Sequence, residues 1–306
     1  MSPSGLSIII PAFNEAESIG AVITNIRYRH PTAEVIVIDD GSTDETADIA
    51  KQAGATVHSH PYNMGNGAAI KSGIRVAHGD ILMLMDGDGQ HDPGDIEKLL
   101  TGLSGYDMVV AARTGNNHAT LFRAAGNRLC NWLASYVANF KIMDLTSGFR
   151  AVKADIARSF LYLLPNTYSY PTTLTLGVLR TGRSLKYVPV QIHKRKGGTS
   201  HISLIRDGVR FFMMILKICT LYSPLRIFLP VSASLFLTGL LYYLYTFIAY
   251  SRFTNMSALL FLTSVIIFMM GLISEQINQL RFERSDRACI PDACCHGEDG
   301  TGEPRL

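Results

Sequence analysis

The chain has 306 residues, with 28 Lys and Arg against 25 Asp and Glu and a formal net charge of +3. That length holds one large α/β domain plus further segments, and so small a charge excludes the strongly basic class of nucleic-acid binders. Mean hydropathy is +0.17, high for a soluble enzyme, and the apolar excess is concentrated near the C-terminus.

In chain order, Leu6–Ile10 is apolar and β-branched and predicts a strand. Glu15 to Arg29 carries Ile19, Val22, Ile23 and Ile26 at helical spacing. Further strands are expected at Glu34–Ile38, Ala55–His58, Ile81–Met85 and Met108–Ala112. Helices are expected at Thr46–Ala53, Gly67–His78 and Asp95–Leu103. Strands alternating with helices of this length predict a parallel sheet with crossovers on both faces. Ligands then sit beyond the carboxyl ends of the strands. Three polar motifs fall there: Pro11-Ala12-Phe13-Asn14-Glu15, Asp39-Asp40-Gly41-Ser42-Thr43-Asp44, and Asp86-Gly87-Asp88-Gly89-Gln90.

In the third motif an apolar run stops at two aspartates spaced i, i+2, which on an extended segment face the same way. The cluster is all hard oxygen, which favours Mg²⁺ or Mn²⁺ carrying a phosphate over zinc. A solvated turn is the plainer alternative. An EF-hand fails: its sixth position needs Gly and is His91, and Pro93 interrupts the loop. At Asp39-Asp40, Ser42 or Thr43 is placed to cap the next helix while Asp40 faces the pocket. Tyr62 to Gly67 is glycine-containing and opens a helix, so it is either a phosphate approach or a turn and cap. No dinucleotide-binding or G-K-[ST] pattern occurs.

Ala119 to Lys153 is expected to be helical and then irregular. Asp144 to Arg150 places one acid and one Arg around a small-residue turn, either as an internal brace or as part of a site. Ser184–Ile192 predicts a late strand. The basic run His193 to Ser200 follows, as a loop able to close over phosphates or as a solvated linker. Ile202 to Tyr222 sets Arg206, Arg210 and Lys217 on one helical face and Ile205, Val209, Phe212 and Leu216 on another, as in an interfacial helix. Ile227–Tyr250 and Met256–Ser274 are charge-free and long enough to span a bilayer. The short link Ser251 to Asn255 makes them a hairpin, with a buried soluble helix pair as the alternative. Arg226, Arg281, Arg284 and Arg287 lie outside the hairpin and Arg252 within its turn, which predicts both flanks in the cytoplasm. The five cysteines make no even framework and no signal-like segment precedes them, which predicts a reducing compartment for the main domain. Residues 288–306 are polar and glycine-containing and are expected to be disordered.

These motifs, with Asp144–Arg150 and Arg195-x-x-Gly198-x-Ser200, occur in an order that resembles the family 2 glycosyltransferases of GT-A fold. Within them the chain is most similar to the polyprenyl-phosphate sugar synthases, the branch of dolichol-phosphate mannose synthase and its bacterial glucosyl relatives. The resemblance covers Leu6 to Arg281. With the residue patterns above, the chain divides into a catalytic domain over 1–200, an amphipathic juxtamembrane helix over 201–224, a transmembrane hairpin over 225–280, and a basic, then disordered cytoplasmic tail over 281–306, whose part after Arg287 lies outside the resemblance. The resemblance implies that Pro11, Phe13, Glu15 and Asp40 hold the nucleoside of a GDP- or UDP-sugar, with Arg113 beside the donor. Asp86, Asp88 and Gln90 would hold Mg²⁺ or Mn²⁺ on the diphosphate. Asp88, Asp144 and Arg150 would stand at the reacting centre, and Arg150, Arg195 and Ser200 at the acceptor phosphate. Gly87 departs from members that carry a side chain there, which bears on the fit of the sugar. The implied acceptor is a dolichyl or undecaprenyl phosphate in the membrane; a homo-oligomer is compatible with the resemblance, but the sequence does not fix the oligomeric state. A phosphate monoester is already anionic near neutral pH, its second ionisation lying near about 6. Direct attack would invert the anomeric centre without a base, leaving Asp144 to orient Arg150 or a sugar hydroxyl. A processive polysaccharide synthase is the rival enzyme class, but the only tryptophan, Trp132, lacks the Q-x-x-R-W context. A nucleotide-sugar binding protein without turnover is the non-enzyme rival.

Overall fold

The computed structural model describes residues 5–113, 128, 131, 132, 134–136, 138–166, 169–191 and 223–288, with backbone alone for 281–288. Arg195, Ser200, the expected interfacial helix and the cysteine-bearing tail lie outside the described residues.

The elements are β1 (Leu6–Ala12), α1 (Ala16–Arg29), β2 (Glu34–Asp39), α2 (Thr46–Gln52), β3 (Thr56–Ser59), α3 (Asn66–Val76), β4 (Ile81–Leu84), α4 (Ile96–Leu103), β5 (Met108–Arg113), β6 (Arg150–Lys153), α5 (Ala154–Ser159), α6 (Tyr170–Arg180), β7 (Leu185–Val190), α7 (Leu225–Tyr250) and α8 (Asn255–Ala288). The strands form a seven-stranded sheet in the order β3-β2-β1-β4-β6-β5-β7. All pairings are parallel except those of β6, which runs antiparallel to both β4 and β5.

The central strands are apolar on both faces because both faces are covered. Ile8 and Ile10 pack with Ile19, Ile23 and Ile26 of α1 and with Ile96 and Leu99 of α4. Ile9, between them, points the other way and packs with Ile70 and Ile74 of α3, as do Leu82 and Leu84. Gly73 lets α3 lie against β1: a Cβ there would stand 2.3 Å from Ile9 Cγ2.

Strand β6 was expected as loop. Its four residues are too few for a periodic signal, and its first is an arginine. It closes the gap between β4 and β5, with Leu84 opposite Arg150 and Val110 opposite Arg150. At the far end of these strands Asp107 is the tie. It accepts from Lys153 Nζ at 2.8 Å and from Ser184 N and Oγ at 2.9 Å each.

The C-terminal hairpin packs through small residues. A Cβ on Gly239 would meet Leu260 Cβ at 3.0 Å, and one on Gly271 would meet Phe228 Cβ at 2.8 Å. Ser264 Oγ donates to Ser232 O at 3.1 Å between the helices. Within their most apolar windows only 11% and 17% of α7 and α8 is buried, which argues against the soluble buried pair. Helix α8 does not stop near Ser274. It runs unbroken to Ala288, so residues 281–288 continue the helix instead of opening the tail. No glycine or proline stands between Ser274 and Ala288 to end it.

Burial alone would raise the Asp107 carboxyl, but the bonds from Lys153 and Ser184 outweigh it and hold the group down at about 2. A depressed carboxyl contributes stability that is present above its unfolded value near about 3.9 and is lost as pH falls toward 2. Allowing for solvent screening, that contribution is roughly 1–2 kcal/mol. Asp107→Asn is therefore expected to lower the unfolding midpoint by a few degrees at pH 7. The gap to the parent protein should narrow between pH 4 and 2 in thermal scans.

Candidate active site

Two loops are locked to each other at the tips of β1 and β2. Asn14 sits in the left-handed region at φ 54°, a conformation asparagine tolerates. Its N–H donates to Ser42 Oγ at 2.9 Å, and its Oδ1 accepts from Thr43 N at 2.9 Å. Glu15 N donates to Thr46 Oγ1 at 2.9 Å and Ala16 N to Asp44 Oδ2 at 3.2 Å. Asp44 also accepts from Thr46 N at 3.1 Å. The orphan amides that open α1 are thus served by the opposite loop, while the first amide of α2 is served by Asp44 from its own loop. Of the expected capping stretch Ser42 to Asp44, it is Asp44 that serves α2, while Ser42 and Thr43 hold Asn14.

The next wall is built on Asp40, which is buried. Its carboxylate accepts from Met64 N at 2.9 Å and Gly65 N at 2.8 Å, and lies 2.7 Å from His60 Nδ1. His60 Nε2 reaches Ser72 Oγ at 2.9 Å. Asp40 therefore shapes the 60–65 loop while its side borders the cavity. Gly65, at φ 101°, has no room for a side chain, since a Cβ would stand 2.3 Å from Asn166 O.

These loops and the end of β4 enclose a cavity of about 300 Å³. Pro11, Phe13, Glu15, Asp40, Asp86 and Asp88 line it, joined by Asn63 and Asn66. The polar motifs converge at the reversal of strand order between β1 and β4, as the topology requires. Gln90, Arg113, Asp144 and Arg150 do not line it. Asn63 and Asn66 were not singled out from the sequence; the glycine-containing loop that opens α3 was the available signal.

Asp86 opens to this cavity with about a third of its side chain accessible. Burial by dense surroundings, and then the neighbouring Asp88, push its carboxyl up to about 6; Arg150, a hydrogen bond from Asn66 and Arg113 act against them. Asn66 Oδ1 is buried without a hydrogen-bond partner. Among the described residues no three His, Cys, Asp or Glu side chains are grouped for a metal. Two carboxylates and neutral oxygens suit Mg²⁺ or Mn²⁺, which complete their shells with water and phosphate oxygens. The loop itself is fixed from behind, where Ser18 Oγ donates to Gly87 O at 2.8 Å. Gly87 lines the cavity, and a Cβ there would meet Ile10 Cγ2 and Ile19 Cδ1 at 3.2 Å and Pro11 O at 3.4 Å. His91 is buried at the same loop, 4.8 Å from Phe149 between ring centres, and its burial lowers its proton affinity.

Asp144 does not orient Arg150. It forms a two-point fork with Arg113, Nε to Oδ2 at 2.5 Å and Nη2 to Oδ1 at 2.9 Å, and Arg113 Nη2 also donates to Thr146 Oγ1. Burial would raise Asp144, but the Arg113 hydrogen bonds and charge prevail and lower it. Arg150 is fully buried in β6. Its Nη1 donates to Pro171 O at 3.0 Å and Thr175 Oγ1 at 3.2 Å, and its Nη2 donates to Ser147 O. With no exposed atom, its guanidinium cannot meet an acceptor phosphate from this position, contrary to the expectation. What it does is hold the 147–148 turn. That turn lies on Asp86, and a Cβ on Gly148 would stand 2.7 Å from Asp86 Oδ2.

The sequence matches the family model Glycosyl transferase family 2 over residues 7–161 and the GtrB C-terminal hairpin over residues 223–280. The chain belongs to glycosyl transferase family 2. Its sheet and cavity are those of a GT-A-like domain, followed by the two-helix hairpin. Glycosyltransferase AglJ of Haloferax volcanii is 29% identical over 94% of this chain and 98% of its own. The undecaprenyl-phosphate mannosyltransferase of Micrococcus luteus is 29% identical, covering 64% of this chain and 86% of its own. Glucosyl-3-phosphoglycerate synthase from Mycobacterium tuberculosis, solved with Mn²⁺, UDP and phosphoglyceric acid, has the same fold. Its TM-score is 0.57 at 23% identity, over 71% of this chain and 78% of that one.

The contact between Gly148 and Asp86 yields a test for this family 2 member. Gly148→Ala is expected to turn the Asp86 carboxylate aside and weaken Mn²⁺ binding about tenfold, with an unfolding midpoint within a few degrees of the parent. Isothermal titration of Mn²⁺ in the presence of nucleoside diphosphate measures it; unchanged affinity would dissociate Gly148 from the site.

Proposed function

We propose that this protein transfers a hexose from a nucleoside diphosphate sugar to a polyprenyl phosphate held in the membrane, with inversion at the anomeric carbon. The observation that carries the reading is the single cavity joining Asp86 and Asp88 to Phe13, Glu15 and Asp40, on a chain that also bears the unburied apolar hairpin. The lipid-phosphate mannosyltransferase and AglJ relatives support the acceptor class and the transfer. The UDP- and Mn²⁺-bound neighbour supports a nucleotide in the cavity.

In the proposed reaction an acceptor phosphate oxygen attacks C1 of the sugar. The C1–O bond to the donor β-phosphate breaks, and the nucleoside diphosphate leaves with that electron pair. The attacking oxygen is already ionised, so no proton has to be removed. Phe13, 42% exposed beside the cavity, offers a ring for the base to stack on. Pro11, Glu15 and the rim of Asp40 border the ribose. Asp86 and Asp88, with Gln90 from the adjoining turn, would hold the divalent ion, Mg²⁺ or Mn²⁺. That ion supplies charge neutralisation of the leaving diphosphate. Arg113, 41% exposed and fixed by Asp144, presents a cation near the donor. Arg195 and Ser200 complete the acceptor side on the strength of the family resemblance. Mannose or glucose, on GDP or UDP, is the favoured donor class. Arginines at 226, 281, 284 and 287 outside the hairpin support a cytoplasmic active domain.

The deciding experiment is a donor panel on the purified full-length protein with Mg²⁺ or Mn²⁺ and undecaprenyl phosphate, reading lipid-linked sugar and released nucleotide together. Transfer from one donor is expected. Nucleotide binding without transfer from any donor would return the binding-protein reading. With the working donor, Asp88→Ala should lower transfer by about a hundredfold or more while leaving the fold intact by circular dichroism. Arg195→Ala should weaken acceptor use more than donor binding; a change confined to donor affinity would count against the acceptor role.

A further inference from the structure

Helix α6 touches two places with different functions. Near its start, Pro171 O and Thr175 Oγ1 hold Arg150, and Arg150 in turn holds Ser147 O beside the Gly148–Asp86 contact. At its last residue, Arg180 Nη2 donates to Glu275 Oε1 of the hairpin at 3.1 Å. Between these ends Tyr170 to Val178 are all buried, so the helix is gripped by the core along its length. Its 11 residues make a strut of roughly 15 Å.

The hairpin end of this strut is unusual in its charge. Glu275 follows directly on the charge-free run Met256–Ser274. Both partners of the ion pair are largely buried, with side chains 15% and 19% exposed. Glu275 Oε2 has no hydrogen-bond partner among the described residues. A carboxylate at such a place costs stability unless it is paired, and deleting one partner leaves the other charge buried alone. The backbone of α8 packs against α5, and α6 reaches α8 through this ion pair; apolar contact alone would avoid the cost of the pair. The charges give a fixed register that sliding apolar surfaces do not.

We propose that Arg180 and Glu275 are positioning residues that seat the catalytic domain on the membrane hairpin at one height. Through α6, they set the Arg150–Gly148–Asp86 contact relative to the bilayer surface. This rests on the proposed lipid acceptor and deepens it. An acceptor phosphate tethered to a bilayer is confined to a narrow layer, and displacements near 1 Å cost reaction rate steeply. A soluble acceptor is free of that confinement, so the two kinds of acceptor separate the role of the pair from a merely structural one.

The test uses the full chain in lipid nanodiscs and in detergent, with Arg180→Ala, Glu275→Ala and the exchanged pair Arg180→Glu/Glu275→Arg. The readouts are transfer to long-chain undecaprenyl phosphate in the nanodisc, transfer to a short water-dispersed isoprenyl phosphate in detergent, and nucleotide binding. Each single variant is expected to lose about tenfold on the bilayer acceptor. Each should stay within about twofold on the short acceptor and on nucleotide binding, and the exchanged pair should recover most of the loss. Equal losses on both acceptors, or no loss on either, would overturn the proposal, as would an exchanged pair no better than the singles. Hydrogen exchange reads the same link without turnover: amides of residues 147–150 and 170–180 should exchange about tenfold faster in Glu275→Ala. Unchanged exchange overturns the inference. Lack of transfer by the parent protein would instead count against the proposed function, with the exchange experiment still deciding the role of the pair.

Discussion

The structure depends on a guanidinium buried where no carboxylate pairs with it. Among the described residues none lies within ion-pair distance of Arg150, yet its side chain is fully inside the sheet. Its Nη1 and Nη2 meet oxygens, while its buried Nε has no hydrogen-bond partner among the described residues, so the charge rests on the bonds made by the two Nη groups. Burial lowers the proton affinity of Arg150, while the nearby Tyr170 and Tyr187 and the more distant acids work the other way. The need for oxygens fixes three things together. Strand β6 must lie between β4 and β5, the first turn of α6 must present Pro171 O and Thr175 Oγ1, and the turn before β6 must bring up Ser147 O. Once Ser147 is held, Gly148 has no choice but to rest on Asp86.

The cavity walls are ordered by similar debts. Amides at the starts of α1 and α2 need acceptors: the second loop supplies them to both, and Asn14 of the first returns one to Thr43. Asp40 supplies them to Met64 and Gly65. The cavity is therefore shaped before a ligand enters, which removes part of the ordering cost from binding. What is left unbalanced is the pair Asp86 and Asp88. Asp86 has its proton affinity raised by burial and by its neighbour, and Asn66 Oδ1 stands beside it without a partner. A divalent cation bound as proposed would relieve that repulsion directly.

The parallel part of the fold was legible because it rests on periodicity. Ile8 to Ile10 with Ile19, Val22, Ile23 and Ile26 is a pattern that few other arrangements satisfy, and the expected elements up to Met108 fall within a residue or two of those observed. The convergence of Pro11, Asp40 and Asp86 followed from topology. What was not legible depends on pairings across long stretches of chain. Asp144 is separated from both Arg113 and Arg150 by short distances along or across the sheet, and nothing local says which one it meets. Strand β6 is four residues of mixed character held by its neighbours, not by its own propensity. Gly87 has a reason in Ile10 and Ile19 that only the packing reveals. The continuation of α8 past the apolar span Met256–Ser274 has another cause: hydropathy marks where an apolar run ends, and helices end where capping or breakers end them.

The polar residues of this site are mostly committed to one another, and that bears on the chemistry. Asp144 is forked by Arg113 and made a weaker base than an ordinary carboxylate. Asp40 is occupied by His60 and two amides, and Arg150 is sealed in the core. In an acid–base enzyme such commitments would be a handicap, because a base must be free to take a proton and lose it. For attack by an already ionised phosphate they cost nothing. In the proposed reaction the work reduces to holding two anionic groups and one sugar carbon in line while charge is neutralised, and rigid, mutually satisfied polar groups do that better than free ones. With the proposed membrane-held acceptor, the same reasoning makes the height of the site above the membrane matter. When chemistry is mostly placement, the element that fixes the protein on its lipid surface becomes part of the catalytic geometry.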